Sequence, residues 1–312
     1  MRYVDLNRLV IPAGWQSKAN NTLADLQIKT QEERRIFFKN LTNPLWKRPD
    51  FVRAILPLGS TLFRKCWYSE SRITDDIDID HFRPKGKDAN KSFKTQFQEY
   101  LSENEFEQLE EESTRGWWFL AFESKNFRVC SCFRNQSRHD TSIALANLKN
   151  RAKGKSDFFP LKKGSSVAIN ADGIENEINC LLDPCKLGDA EFISFDQFGN
   201  AYTIYDDSTE ERKWIKCRVL TSIAVYHLDE HDLIEFRKKK WKYCKDFIYD
   251  KMKKALFVDK DIDEVRRLKQ EFITEFLDAN HEFSAVAIDC IRYYKDEENW
   301  LERVFPKNTL SK

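Results

Sequence analysis

The chain has 312 residues, room for one large domain or two ordinary ones. Its 52 Lys and Arg against 51 Asp and Glu leave a net charge of +1, which excludes a histone-like polycation but not a basic cleft on a near-neutral body. A 41% hydrophobic share with 24 Phe, 10 Tyr and 8 Trp can fill a core, and only 9 Gly and 8 Pro exclude collagen-like and loop-dominated folds. No apolar run approaches the ~18 residues of a membrane-spanning helix. The opening MRYVDLNRLV lacks the uninterrupted apolar core of a signal peptide. Eight Cys in so long a chain do not make a secreted disulfide scaffold, so a cytoplasmic protein is expected.

In chain order, Glu32 to Asn40 and Pro49 to Ile55 carry apolar residues at helical spacing. Ile73 to Phe82 differs: Asp76, Asp78 and Asp80 alternate with Ile77 and Ile79, the period of a strand with one apolar face. The six Glu of Glu103 to Glu112 predict a solvated helix face. An aromatic-rich stretch, Arg115 to Val129, precedes a helical pattern from Phe133 with Ile143, Leu145 and Leu148 apolar. Turn signals follow at Ala171 to Gly173 and Phe198 to Asn200. From about Thr209 the texture becomes helical, around Val219 to Phe236, Trp241 to Phe257 and Val265 to Phe276. No repeat or low-complexity linker interrupts this order. The expected division is an N-terminal helical segment (1–60), a mixed central part (61–208) and a helical C-terminal part (209–312).

The chemistry concentrates around Asp80-His81. A His after an Asp at a strand end can act as a general base while the carboxylate holds a hard cation. The alternating Asp string could instead open a calcium loop. With Asp76, Asp78 and Asp80 at positions 1, 3 and 5, however, position 6 is His81 rather than Gly, and position 12 is Lys87 rather than Glu. Asn126 opens a second short strand pattern, NFRVCSC, and Asn135 follows in the turn toward the next helix. Two strands and a helix carrying Asp-His, Asn and Asn form a ββα unit able to gather a base, an orienting amide and two metal ligands around one phosphate.

The strings DIDHFRPK (Asp78 to Lys85), WWFLAFESKNFRVCSCFRNQ (Trp117 to Gln136), KGKSDFFPL (Lys153 to Leu161) and LLDPC (Leu181 to Cys185) stand in one order. Together they closely resemble HNH endonucleases of the PtuB type, the nuclease subunit of Septu antiphage systems and of some retron-associated operons. The likeness covers residues 60 to 240 and runs into RVLTSIAVYHLDEHDLIEFR at Arg218 to Arg237. It implies an α+β fold with a ββα-metal (HNH) core and a helical C-terminal part, in a prokaryotic cytoplasm. It also implies His81 as general base, Asp80 as ligand of the catalytic metal, Asn126 as the group orienting the His81 ring and Asn135 as second ligand. His139, four residues after Asn135, is a further metal candidate. A neutral His suits proton abstraction near pH 7, and an oxygen-only set suits Mg²⁺ or Mn²⁺ better than zinc.

Many relatives hold a structural zinc with two CxxC pairs. Here the corresponding positions are Cys66, Ser69, Ser131 and Arg134, so structural zinc is not expected. Cys66 reads as a remnant, with Cys130 and Cys132 the nearest substitutes. Arg83, Lys85, Lys87, Arg134, Arg138, Lys149, Arg151, Lys153 and Lys155 make the neighbourhood basic, and Arg83, Lys85, Arg138 and Lys155 are the expected phosphate contacts. The partners implied by the resemblance are a nucleic-acid substrate (DNA favoured over RNA), a PtuA-like ABC-type ATPase and, in the retron setting, a reverse transcriptase with its msDNA; no membrane is involved. The C-terminal aromatics are expected mostly to pack the helical part on itself, with some exposed part of Arg218 to Phe305 as the docking surface. The competing expectation is a non-catalytic adaptor that keeps the ββα unit as a scaffold. A metal-free Cys hydrolase finds no support, since no Cys sits in a recognisable Cys–His setting.

Overall fold

In chain order, the N-terminal helices begin where capping chemistry allows. A computed structural model describes residues 1–86, 93–110, 116–132, 155–306 and 310–312, with the backbone alone of 138–139 and 152–153. Helix α1 (Trp15–Gln27) starts after Gly14 in a left-handed conformation. Helix α2 (Gln31–Asn40) starts at a capping box in which Thr30 and Glu33 satisfy each other's backbone N–H groups. Helix α3 (Pro49–Ile55) carries Pro in its first turn, where the missing N–H costs nothing. Trp15 stacks on Phe51 at 4.7 Å, and both rings meet Phe127 edge-on. The first 60 residues are thus packed beneath the central hairpin.

That hairpin pairs β1 (Ile77–His81) with β2 (Phe127–Ser131) antiparallel, Asp80 opposite Arg128 and His81 opposite Phe127. The expectation of one apolar strand face needs correction, because Asp78, Asp80 and His81 are buried along with Ile79. Alternation in β1 separates two kinds of buried surface rather than core from solvent. The expected helix from Phe133 is also corrected in part. Residues 138–139 (β3) are extended and pair with 152–153 (β4), so their backbone groups bond across strands rather than along a helix. The remainder of that expected helix, including Asn135, lies outside the described residues.

The acidic stretch forms one helical turn, Glu103–Phe106. Glu105 is buried there, capping Ser102 and pairing with Lys216 at 3.2 Å, while Glu103 in the same turn is exposed, so the turn has a solvated face and also buries one of its carboxylates. The turn at Phe198 to Asn200 joins the two-residue strands β5 (Ser194–Phe195) and β6 (Ala201–Tyr202). The C-terminal part holds helices Glu210–Val225, His231–Asp246, Ile262–Phe272, Ser284–Glu297 and Trp300–Val304. Two of them continue into π-helical turns at Phe247–Lys253 and Ile273–Leu277. The expected segment Val219 to Phe236 is broken between the first two helices, where His227 adopts φ 51°, a conformation no helix interior admits. Several aromatics of this part, including Trp241, Phe247, Phe272 and Tyr294, are buried, Tyr249, Phe276 and Trp300 pack partly buried against them, and Phe236, Tyr243, Phe257 and Tyr293 are exposed.

One core joins all three segments. Polar bonds cross the expected boundaries as well: Lys65 donates to the carbonyls of Ala279 and His281, and Arg218 is held by Asp189 through two short hydrogen bonds. Among the described residues no helix is long and apolar enough to cross a membrane.

Candidate active site

The last residues of β1 open into a cleft of about 620 Å³ lined by Asp78, Asp80, His81, Lys85, Ser156 and Asp157 on the hairpin side. Phe38, Leu41, Pro44, Trp46 and Lys47 from the N-terminal segment complete the lining. His81 is placed by three independent devices. Its strand pairing fixes the backbone opposite Phe127. The edges of Trp46 and Phe127 hold the ring plane, at 4.5 and 5.1 Å between centroids with both pairs near perpendicular. Its Nε2 lies 2.9 Å from the Ala121 carbonyl oxygen, which can only accept, so in the neutral ring Nε2 carries the proton and Nδ1 the lone pair. Burial drives the pKa of His81 well below the usual value, and the nearby positive charge of Lys85 pushes the same way.

Asn126, the expected orienter of the ring, sits one residue before β2 and spends its amide elsewhere. Its Oδ1 accepts from the Arg83 N–H at 2.8 Å, and its Nδ2 donates to the carbonyls of Arg83 and Leu120. It therefore pins the chain just after His81 to the chain just before Ala121. The orienting acceptor is the Ala121 carbonyl, and Asn126 acts on it through the backbone.

Asp80 is held from two sides. Tyr68 donates its hydroxyl to Oδ2 at 2.5 Å, and the Lys155 ammonium lies 3.0 Å from Oδ1 and 2.8 Å from the His81 carbonyl oxygen. Burial and then the Asp80 charge raise the Tyr68 pKa far above normal, so the phenol stays a donor. Lys155 is fully buried, and its placement corrects its expected role: it compensates a carboxylate instead of meeting a phosphate. Arg83 is likewise engaged, its Nε 2.7 Å from Glu177, whose other oxygen takes the Trp117 indole N–H. Of the expected phosphate contacts, Lys85 lines the cleft and the side chain of Arg138 lies outside the described residues, as does that of the metal candidate His139.

The sequence did not single out Trp46, Lys47, Asp157 or the Ala121 carbonyl. Trp46 and Lys47 belong to a segment outside the resemblance, and a backbone carbonyl leaves no signature in a sequence. Asp157 sits inside a family string but carries no spacing signal; burial raises its pKa. Lys47 reaches Asp78 only loosely, at 3.7 Å.

The resemblance implies a hard divalent cation at Asp80. Each Asp80 oxygen has one donor and two lone pairs, so each can also meet a hard cation. In donor type this fits Mg²⁺ or Mn²⁺, with Asp80 as the described residue that would hold it; Asn135 falls outside the described residues. Among the described residues no three His, Cys, Asp or Glu side chains converge on one point. Cys66 and Cys130, the latter in β2, are buried and Cys132 is half-buried; the Cys130 thiol points to the Asp78 carbonyl oxygen, 3.6 Å away. No protein-family model matches the chain, and no curated protein matches it significantly.

Proposed function

We propose that the chain is a metal-dependent HNH-type endonuclease with His81 as its general base. The observation that carries the reading is the setting of that ring: a buried imidazole, held neutral, with Nε2 committed to a carbonyl and Nδ1 carrying the lone pair that can take a proton, on a cleft shared with Asp80. In the proposed reaction His81 Nδ1 takes a proton from water as the water oxygen attacks phosphorus. The P–O bond to the 3′ oxygen breaks, and that oxygen takes a proton from solvent. A divalent cation held by Asp80 would offset the charge that develops on the phosphate. Lys155 and Tyr68 fix the position of the Asp80 carboxylate. The resemblance supplies the proposed setting, antiphage defence beside an ATPase partner.

His81→Ala should lower cleavage of plasmid DNA or total RNA by at least ~100-fold, the lower range of general-base contributions. It should do so in a protein that still purifies folded, with a circular-dichroism spectrum like that of the wild type. A folded variant that cuts at the wild-type rate overturns the assignment. The scaffold reading draws on one observation, the Lys155–Asp80 pair, which is also a way to bury a carboxylate with no catalytic use. It is favoured if the wild-type chain, alone and with its ATPase neighbour, cuts neither DNA nor RNA in Mg²⁺ or Mn²⁺.

A further inference from the structure

The cleft has a part that phosphodiester chemistry does not need. Phe38 and Leu41, at and just beyond the end of α2, and Pro44 in the following loop line it as half-buried apolar side chains. They occupy the same cleft as Asp78, Asp80, His81 and Asp157. Trp46 links the two parts, lying edge-on to His81 while itself buried, so its own face is not free to stack. Lys47 and Lys85 also line the cleft, and the Lys85 ammonium lies 5.2 Å from the Trp46 ring centroid.

We propose that Phe38, Leu41 and Pro44 form a subsite for an unstacked nucleobase next to the scissile phosphate, and that the substrate is therefore a single strand. This rests on the nuclease reading of His81. A phosphate at His81 carries a nucleoside on each side, and the described cleft meets it with apolar side chains as well as charge. A base face bound by Phe38 must be bare. In a duplex both faces of every interior base are covered by neighbours, whereas single-stranded segments offer theirs to aromatic side chains. The cleft volume of about 620 Å³ falls within the ~300–1,000 Å³ typical of small-ligand sites, which is the scale of a nucleotide rather than of a helix. Lys47 and Lys85 supply positive charge for the flanking phosphates without reading sequence. Sequence offered no hint of the subsite, because its residues lie before position 60, apart from the strings that carry the family likeness.

The test separates binding from cutting. Binding is read by fluorescence anisotropy on full-length His81→Ala protein at one fixed salt concentration. The probes are a labelled single-stranded DNA, the same sequence as single-stranded RNA, and the DNA duplex. A single strand should bind at least about 10-fold tighter than the duplex, and the DNA and RNA arms identify which chemistry the cleft prefers. Adding Phe38→Leu, which retains an apolar side chain without the aromatic face, should weaken single-strand binding about 5- to 100-fold, the range for loss of one stacked base. Adding Phe38→Trp should keep the affinity. Equal affinity for duplex and single strand, or a Phe38→Leu protein that binds as before, overturns the proposal. Failure of the wild-type protein to cut any of the three nucleic acids overturns the nuclease reading instead, and the binding arms still decide the subsite.

Discussion

A histidine beside a lysine and three aspartates would ordinarily titrate near neutrality; His81 is held neutral because its ring is out of water. Burial thereby couples its protonation to folding. The folded pKa lies below the unfolded value of 6.5, so the unfolded chain binds the proton more readily between the two. The contribution to stability is complete above pH 6.5 and is lost as pH falls toward the folded pKa. In EDTA, the wild-type melting temperature should therefore drop on acidification from pH 6.5, and His81→Gln should flatten that slope. A variant with an unchanged slope would place the acid sensitivity in another group. Asn126 is the second residue whose meaning is set by its partners. Asn126→Ala leaves the Arg83 N–H and the Arg83 carbonyl without their partner, which should cost about 1–3 kcal/mol in chemical denaturation. Activity should fall with it, because the chain that presents the Ala121 carbonyl loosens.

Among the elements, the hairpin β1–β2 is stabilised as much by charge as by its ladder. Arg128, opposite Asp80, turns to Asp183 of the LLDPC string and is held at 2.7 and 2.6 Å through two parallel bonds. The string thus neutralises a buried guanidinium beside the strand that carries the site. Asp183→Asn would strand that charge and should destabilise the protein by about 3–5 kcal/mol, measured by denaturant unfolding. Pairing it with Arg128→Met should recover part of the loss. The β5–β6 turn makes a steric demand instead. Gly199 has φ 87°, and a Cβ there would lie 2.1 Å from the Ile234 carbonyl oxygen. Gly199→Ala should cost about 1–3 kcal/mol or more, and its melting curve checks this.

For the whole molecule, the C-terminal helices are not an appendage. Tyr68, which holds Asp80, stacks on Tyr226 at 4.0 Å, and Glu70 accepts from Ser284. Val219, Ala224 and Val225 are fully buried in the common core. A chain ended after Ser208 would expose these partners, and should aggregate or lack a cooperative unfolding transition by circular dichroism. The proposed ATPase partnership therefore has to be measured with the full chain, by co-elution in size-exclusion chromatography. Most rings of Arg218 to Phe305 lie in the core or pack against it, since helices this rich in aromatics bury them against one another, which leaves Phe236, Tyr243, Phe257 and Tyr293 as the exposed rings of the expected docking region.

Much was legible without coordinates wherever information is local. Apolar spacing marks the helices near Glu32 and Pro49, alternation marks β1, and Gly at Gly199 marks a turn, because backbone sterics and side-chain spacing act within a few residues. Asp80 and His81 could be singled out as adjacent chemistry on a strand end. What only the tertiary structure decided is who their partners are. Lys155, 75 positions from Asp80, reads as a solvent-facing phosphate contact in the sequence and becomes a buried counter-ion in the fold. Asn126 reads as a ring orienter and becomes a backbone clamp. Phe38 reads as one apolar position of a helix and becomes part of the cleft wall. Burial and pairing are properties of where distant segments meet, and that meeting converts a charged side chain from a surface group into a compensated interior one.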